Sequence, residues 1–255
     1  MPASPRAGTL FEVHVRGQVG EGWSATAAGI PLHARADSTG GGVVLFAALP
    51  IDSVRGIELR FTCANGALPT AVRVPADSGH YRMERLRVAP RFAVPPDSAL
   101  AARLRDESER AAAVSERSHD TPPLWRAPFR APRPSRVTSG FGTGRTFNGA
   151  VVSRHMGIDY AGAVGAPVRA ANRGVVRLVS AFYLGGNVVY VDHGAGLVTA
   201  YLHLSQSLVT EGDTVPQGAV LGRVGATGRV TGPHLHLIAR FGSTTVDPMS
   251  LFGRR

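Results

Sequence analysis

A chain of 255 residues with 44% hydrophobic content has room for one large domain or two ordinary ones, each with its own core. No apolar run approaches the roughly 20 residues that span a bilayer, and the opening MPASPRAGTLFEVHV lacks the apolar centre of an export signal, so the expectation is a chain that stays inside or whose signal is missing from this sequence. The formal charge of +10 favours anionic partners, but all 28 basic residues are arginines spread along the chain with no nucleic-acid-binding motif, and a lone cysteine, Cys63, excludes an internal disulfide and a cysteine-based zinc cluster.

Residues 1–95 read as a strand-rich domain. LFEVHVRG, GGVVLFAAL, GIELRFTC and TAVRVP alternate or cluster β-formers, with Gly, Asp37-Ser38 and Asn65-Gly66 as turn punctuation. Short strands at this spacing predict a small β-sandwich, with Cys63 half-buried in one of them. His14, His33 and His80 lie here at no ligand spacing and are expected to be structural or exposed.

Residues 96–134 differ in texture. PDSALAARLRDESERAAAVSERS is rich in Ala, Leu, Arg and Glu and predicts one helix from about Ser98 to Ser115, capped by Asp97 or Ser98, with a solvated charged face. The prolines of HDTPPLWRAPFRAPRPSR cannot continue a helix, so this stretch reads as a semi-rigid linker whose aromatics, Trp125 and Phe129, dock onto a neighbouring domain.

Residues 135–255 return to strand and turn, and hold five of the nine histidines. In SRHMGIDYAG, His155 and Asp159 stand four apart. Gly157 and β-branched Ile158 favour a loop entering a strand over a helix, and an N/O pair of this kind suits zinc. In TAYLHLS, strand alternation puts Tyr201 and His203 on one face and Leu202 and Leu204 on the other. In TGPHLHLIARF the same period puts His234 and His236 on one face, with Leu235 and Leu237 behind. A catalytic zinc takes three protein ligands and keeps one position for water, and further histidines can then handle protons.

These segments stand in a longer order of boxes: SGFG, R, H-x-G-x-D-x-A, G-x-P-V-x-A, G-N-x-V, HG-x-G, Y-x-H-L, V-x-x-G-D-x-V, G-x-x-G, TGPHLH and VDP. From about Ser139 to Leu251 the chain resembles the LytM/lysostaphin-type zinc endopeptidases of peptidase family M23. The resemblance implies a twisted antiparallel sheet crossed by a groove, zinc (Zn2+) held by His155, Asp159 and His236, and His203 and His234 as the catalytic pair. It also implies hydrolysis of cross-links or stem peptides in bacterial peptidoglycan, and hence a place in the cell envelope. Arg145 matches the family's arginine after FG, one residue late, and is a candidate substrate contact. Asn187 is expected to shape a hairpin, and His193 to sit in a turn. Two departures stand out: no tyrosine precedes His155 in TFNGAVVS, and Ile238 stands where relatives often carry an acid.

The expected architecture is therefore mainly β: a sandwich-like front domain, a helical and proline-rich linker, and a LytM-like antiparallel catalytic domain. A non-catalytic wall-binding or hydrolase-regulating relative of the same fold is the alternative, but such proteins lose ligands and all five positions are intact here. A lipoyl or biotinyl carrier, suggested by the rhythm of TEGDTVPQGAVLGRVGATG, is excluded because the chain has no lysine to hold the cofactor.

Overall fold

The computed structural model describes residues 4–16, 22–37, 40–53, 55–63, 70–92, 94–149 and 151–252. It is mainly β and divides into two compact units, Met1–His80 and Tyr81–Arg255.

The first unit holds β1 (Leu10–Arg16), β2 (Trp23–Ala27), β3 (Ile30–Leu32), β4 (Ala34–Ala36), β5 (Gly42–Ala48), β6 (Ile57–Cys63) and β7 (Thr70–Val74). They form two antiparallel sheets, ordered β1-β5-β4 and β3-β2-β6-β7, with Leu10, Ala25, Ala27, Leu45, Ile57 and Leu59 among the buried residues. Four of these strands match the expected runs. The others, such as WSATA in β2, are short and alanine-containing and give little β signal. Cys63 is exposed and not half-buried: it is in phase with buried Ile57 and Leu59, but burial fades at the end of β6. His14 is exposed beside Glu12 and Asp37. The Asn65-Gly66 turn and Ser38 lie outside the described residues.

The second unit opens with β8 (Met83–Leu86), followed by α1 (Ser98–Arg117). Asp97 caps α1 by accepting from the Leu100 N–H at 2.8 Å, and the helix runs on into a 3-10 turn at Ser118–Asp120. Then come β9 (Val137–Ser139), β10 (Gly144–Phe147), β11 (Val151–Arg154), β12 (Ile158–Ala161), β13 (Pro167–Arg169) and β14 (Gly174–Phe182). The chain ends with β15 (Gly186–Gly194), β16 (Leu197–Ser207), β17 (Thr214–Val215), β18 (Val220–Val224), β19 (His234–Phe241) and β20 (Thr244–Val246). The main sheet runs β17-β14-β15-β16-β19-β12-β9, and a smaller one, β11-β10-β8, stands beside it. The β15–β16 hairpin turns on Ala195 and Gly196, both at positive φ (51° and 81°), the backbone that a tight two-residue hairpin demands.

Residues 96–134 are built into this unit. Ala111 and Val114 of α1 pack against Leu178, Phe182, Val188, Tyr190, Val198, Ala200 and Leu202. The buried residues Glu107, Ala111, Val114 and Ser115 recur at helical spacing, but small and polar side chains disguise the stripe in the sequence. The proline-rich stretch is tied by backbone hydrogen bonds from Leu124 to His193 and from Arg130 to Ala171, both 2.9 Å, and Phe129 packs edge-on against His193. The division into units falls at residue 80, ahead of the expected one near 95.

Candidate metal centre

Three strands of the main sheet fix the site. β19 lies between β12 and β16, and its register sets Asp159 and Leu202 directly across from His236 on either side. Side chains directly opposite share a face, so the Asp159 carboxylate and the His236 ring meet, while Leu235 and Leu237 are fully buried behind. His155 follows β11, and its backbone is pinned to the 142–143 segment by hydrogen bonds from Gly142 N–H to His155 O and from His155 N–H to Thr143 O, each 2.7 Å. That loop brings its ring to within 2.9 Å of His236 (Nε2 to Nδ1) and 3.0 Å of Asp159 (Nε2 to Oδ1), with His236 Nδ1 2.7 Å from the same oxygen. All three residues are buried.

These atoms fit a divalent cation. His155 Nδ1 lies 2.8 Å from the carbonyl oxygen of Gly140, which can only accept, so Nδ1 carries the proton and Nε2 presents a lone pair. Asp159 Oδ1 presents another to the same point, and two such atoms 3.0 Å apart repel unless positive charge lies between them. Atoms this close can all stand at the roughly 2.0–2.2 Å that zinc keeps from imidazole nitrogen and carboxylate oxygen. Burial alone would raise the Asp159 pKa, but the close contacts of the His155 and His236 rings outweigh it and hold the carboxyl well below its usual range. Burial likewise pushes His236 down to about 4, so its ring is neutral and free to ligate at pH 7. Gly157 makes the approach feasible, since a Cβ there would collide with Leu237 O and lie only 2.6 Å from His236 Cε1.

His203 reaches the same face by a route that alternation does not predict. Between the pairs Val189↔Tyr201 and Asn187↔Leu204, β16 carries one residue more than β15, and His203 sits in this bulge at φ 62°. Tyr201 therefore points away, its hydroxyl accepting from Ala171 N–H at 2.7 Å, while the His203 ring turns to within 4.9 Å of His234 and 5.8 Å of His236. The expected shared face of Tyr201 and His203 is thus broken by the bulge. His203 Nδ1 is 2.8 Å from Thr227 O, and His234 Nδ1 is 2.8 Å from Gly232 O, so both rings keep Nε2 for the cavity. Burial, helped by the neighbouring rings, pushes His203 down to about 3. All five residues line one cavity of about 560 Å³.

Several contacts were not legible in the sequence. Arg145 lines the cavity, and its Nη2 donates to Asp159 Oδ2 at 2.7 Å and to Ser139 Oγ at 2.8 Å, holding the outer carboxylate oxygen. Glu84 of β8 stands behind it, accepting from Ser139 Oγ, and comes from a segment that carries no motif. Arg229, also on the cavity wall, directly follows the G-x-x-G box with nothing in its spacing to mark it. His193 is fully buried at the end of β15, not in the turn that follows, and bonds Arg173 O and Thr199 Oγ1 at 2.8 Å each. Asn187 Nδ2 donates to Leu204 O at 3.0 Å, bonding the start of β15 to the bulged stretch of β16. Ile238 packs against the apolar cluster beneath α1, which accounts for an apolar residue at that position.

Residues 153–248 match peptidase family M23. The chain carries an M23 peptidase domain. Within it, 85 residues are 48% identical to the peptidoglycan DD-endopeptidase ShyC of Vibrio cholerae, covering 33% of this chain and 20% of that protein. Another 97-residue match, 46% identical, is to the DD-carboxypeptidase/endopeptidase Mpg of Neisseria meningitidis, covering 38% and 22%. The matched stretch thus spans about a fifth of these curated relatives. A solved structure from Pseudomonas aeruginosa, assigned to peptidase M23, superimposes with a TM-score of 0.78 at 27% identity, over 98% of this chain and 96% of its own. The M23 domain holds all five candidate residues, and the P. aeruginosa likeness extends over the first unit as well.

Proposed function

We propose that the second unit is a zinc-dependent endopeptidase that hydrolyses peptide cross-links or stem peptides of bacterial peptidoglycan, in the cell envelope. The observation that carries this reading is the convergence of His155 Nε2, Asp159 Oδ1 and His236 Nδ1 within 3.0 Å of one another, with two further imidazoles on the same cavity wall. The relatives named as peptidoglycan DD-endopeptidases support the substrate class. No helix among the described residues is long and apolar enough to cross a membrane.

His155, Asp159 and His236 would hold the zinc, which supplies Lewis acidity and lowers the pKa of a water in its open position to about 7. His203 and His234 do the proton work. With Nδ1 committed to a carbonyl, each presents Nε2 to the cavity, and neutral His203 can take a proton from the attacking water. Once protonated, an imidazole can donate that proton to the leaving amine, or hydrogen-bond the carbonyl oxygen as it gains negative charge. Arg145 and Ser139 keep Asp159 aimed by holding Oδ2.

The test is mass spectrometry of fragments released from purified peptidoglycan by the zinc-loaded protein. New amino termini at peptide bonds are expected. Stoichiometric zinc with no released fragment would favour the non-catalytic alternative.

A further inference from the structure

Arg229 has a place in the cavity but, among the described residues, no counter-charge there. It rises from a fixed point: its backbone N–H bonds Leu184 O at 2.9 Å, and Gly228 before it turns at φ 75° with no room for a Cβ beside Leu184 O and Gly186 N. The guanidinium lies over the ring of Phe147, 4.1 Å from its centroid, and is half-buried. The two carboxylates on the cavity wall are both engaged elsewhere, Asp159 by the histidines and Arg145, Glu84 by Ser139 and Arg145. Among the described residues no carboxylate or carbonyl pairs with the Arg229 side chain. Burial, and then the like charge of Arg145, lower its pKa, the direction expected of a cation short of water and of counter-charge.

A guanidinium with one face on an aromatic ring keeps its donor edge for a planar, bidentate acceptor. We propose that Arg229 binds a carboxylate of the peptide substrate and makes the site selective for acidic peptides over uncharged ones. This rests on the endopeptidase reading of the site and adds its substrate class. Phe147, which carries Arg229, is two residues along β10 from Arg145, which holds Asp159. Those two positions are roughly 7 Å apart along the strand, and Arg229 lines the same cavity as the metal centre.

The experiment uses the zinc-loaded full chain and a synthetic cross-linked peptide joined through D-alanine and a diamino acid. The peptide is made in three forms: all carboxylates free, the C-terminal carboxylate amidated, and the diamino-acid carboxylate amidated. Affinity is read by calorimetry and kcat/KM by chromatography. The free acid should exceed one amide by about tenfold or more, as a charged bidentate contact implies, and that amide identifies the carboxylate. In Arg229→Gln the acid-to-amide ratio should collapse toward one. Arg105→Gln, which removes the same charge from the exposed surface of α1, should keep it. The ratio is independent of the fraction of active protein, so partial misfolding cannot mimic the result. Equal handling of acid and amides by the unaltered protein, or a ratio that survives Arg229→Gln, overturns the proposal. Carboxylate-dependent binding without cleavage would overturn the endopeptidase reading and uphold Arg229. Equal cleavage of all three forms would do the reverse, and neither binding nor cleavage would overturn both.

Discussion

His203 has a backbone that few non-glycine residues adopt, and it does so at the point where a fourth imidazole-bearing position must join the site. The division of labour among the five residues has a direct consequence. His155→Ala, Asp159→Ala and His236→Ala each delete a lone-pair atom from the convergent set, so bound zinc measured by atomic absorption should fall with activity. His203→Ala and His234→Ala leave that set whole, and should keep zinc while losing turnover by about a hundredfold or more. Full metal content in any of the first group would mean the ligand set is wrong. His193 has a different role, below the sheet. Burial pushes its pKa down to about 4, against an unfolded value near 6.5. Between those two values only the unfolded chain takes up the proton, so the contribution is whole above pH 6.5 and lost as pH falls through 4. The window corresponds to about 3 kcal/mol. Urea unfolding followed from pH 7 to pH 4 should show that loss on top of the same-sign contributions of His203 and His236, and His193→Gln should make the slope shallower.

At the scale of elements, α1 is held to the sheet by more than apolar contact. The buried Glu107 carboxylate accepts from the Tyr183 N–H at 2.9 Å and from Arg103 at 2.7 Å, joining the helix to the loop after β14. Glu107→Ala would leave that backbone N–H without its acceptor, at a cost of about 1–3 kcal/mol. Glu107→Gln keeps an oxygen in place and should cost less, and the difference between their urea midpoints checks the assignment. The register of β12, β19 and β16 is the other decisive element. A one-residue slip of β19 would send both histidines to the buried face. Leu235 and Leu237, fully buried on the far side, specify against it.

For the whole second unit, metal and fold should be linked. Three buried donors that repel one another when empty are relieved by a cation, so a chelator should abolish hydrolysis and lower the melting temperature, and added zinc should restore both. An unchanged melting temperature with full loss of activity would place the ion outside this buried set. The β class, the two imidazoles of TGPHLHL on one face, and the residues of H-x-G-x-D-x-A were all legible in the chain, because period-2 alternation and ligand chemistry are local properties. So was the absence of a lysine that rules out a carrier. The bulge that turns His203 to the site, the grip of Arg145 on Asp159, the burial of Glu107 under α1 and the Arg229 guanidinium left without counter-charge among the described residues were decided by tertiary structure alone. Each depends on which segment far along the chain supplies the opposing atom, and no local pattern of residues carries that information.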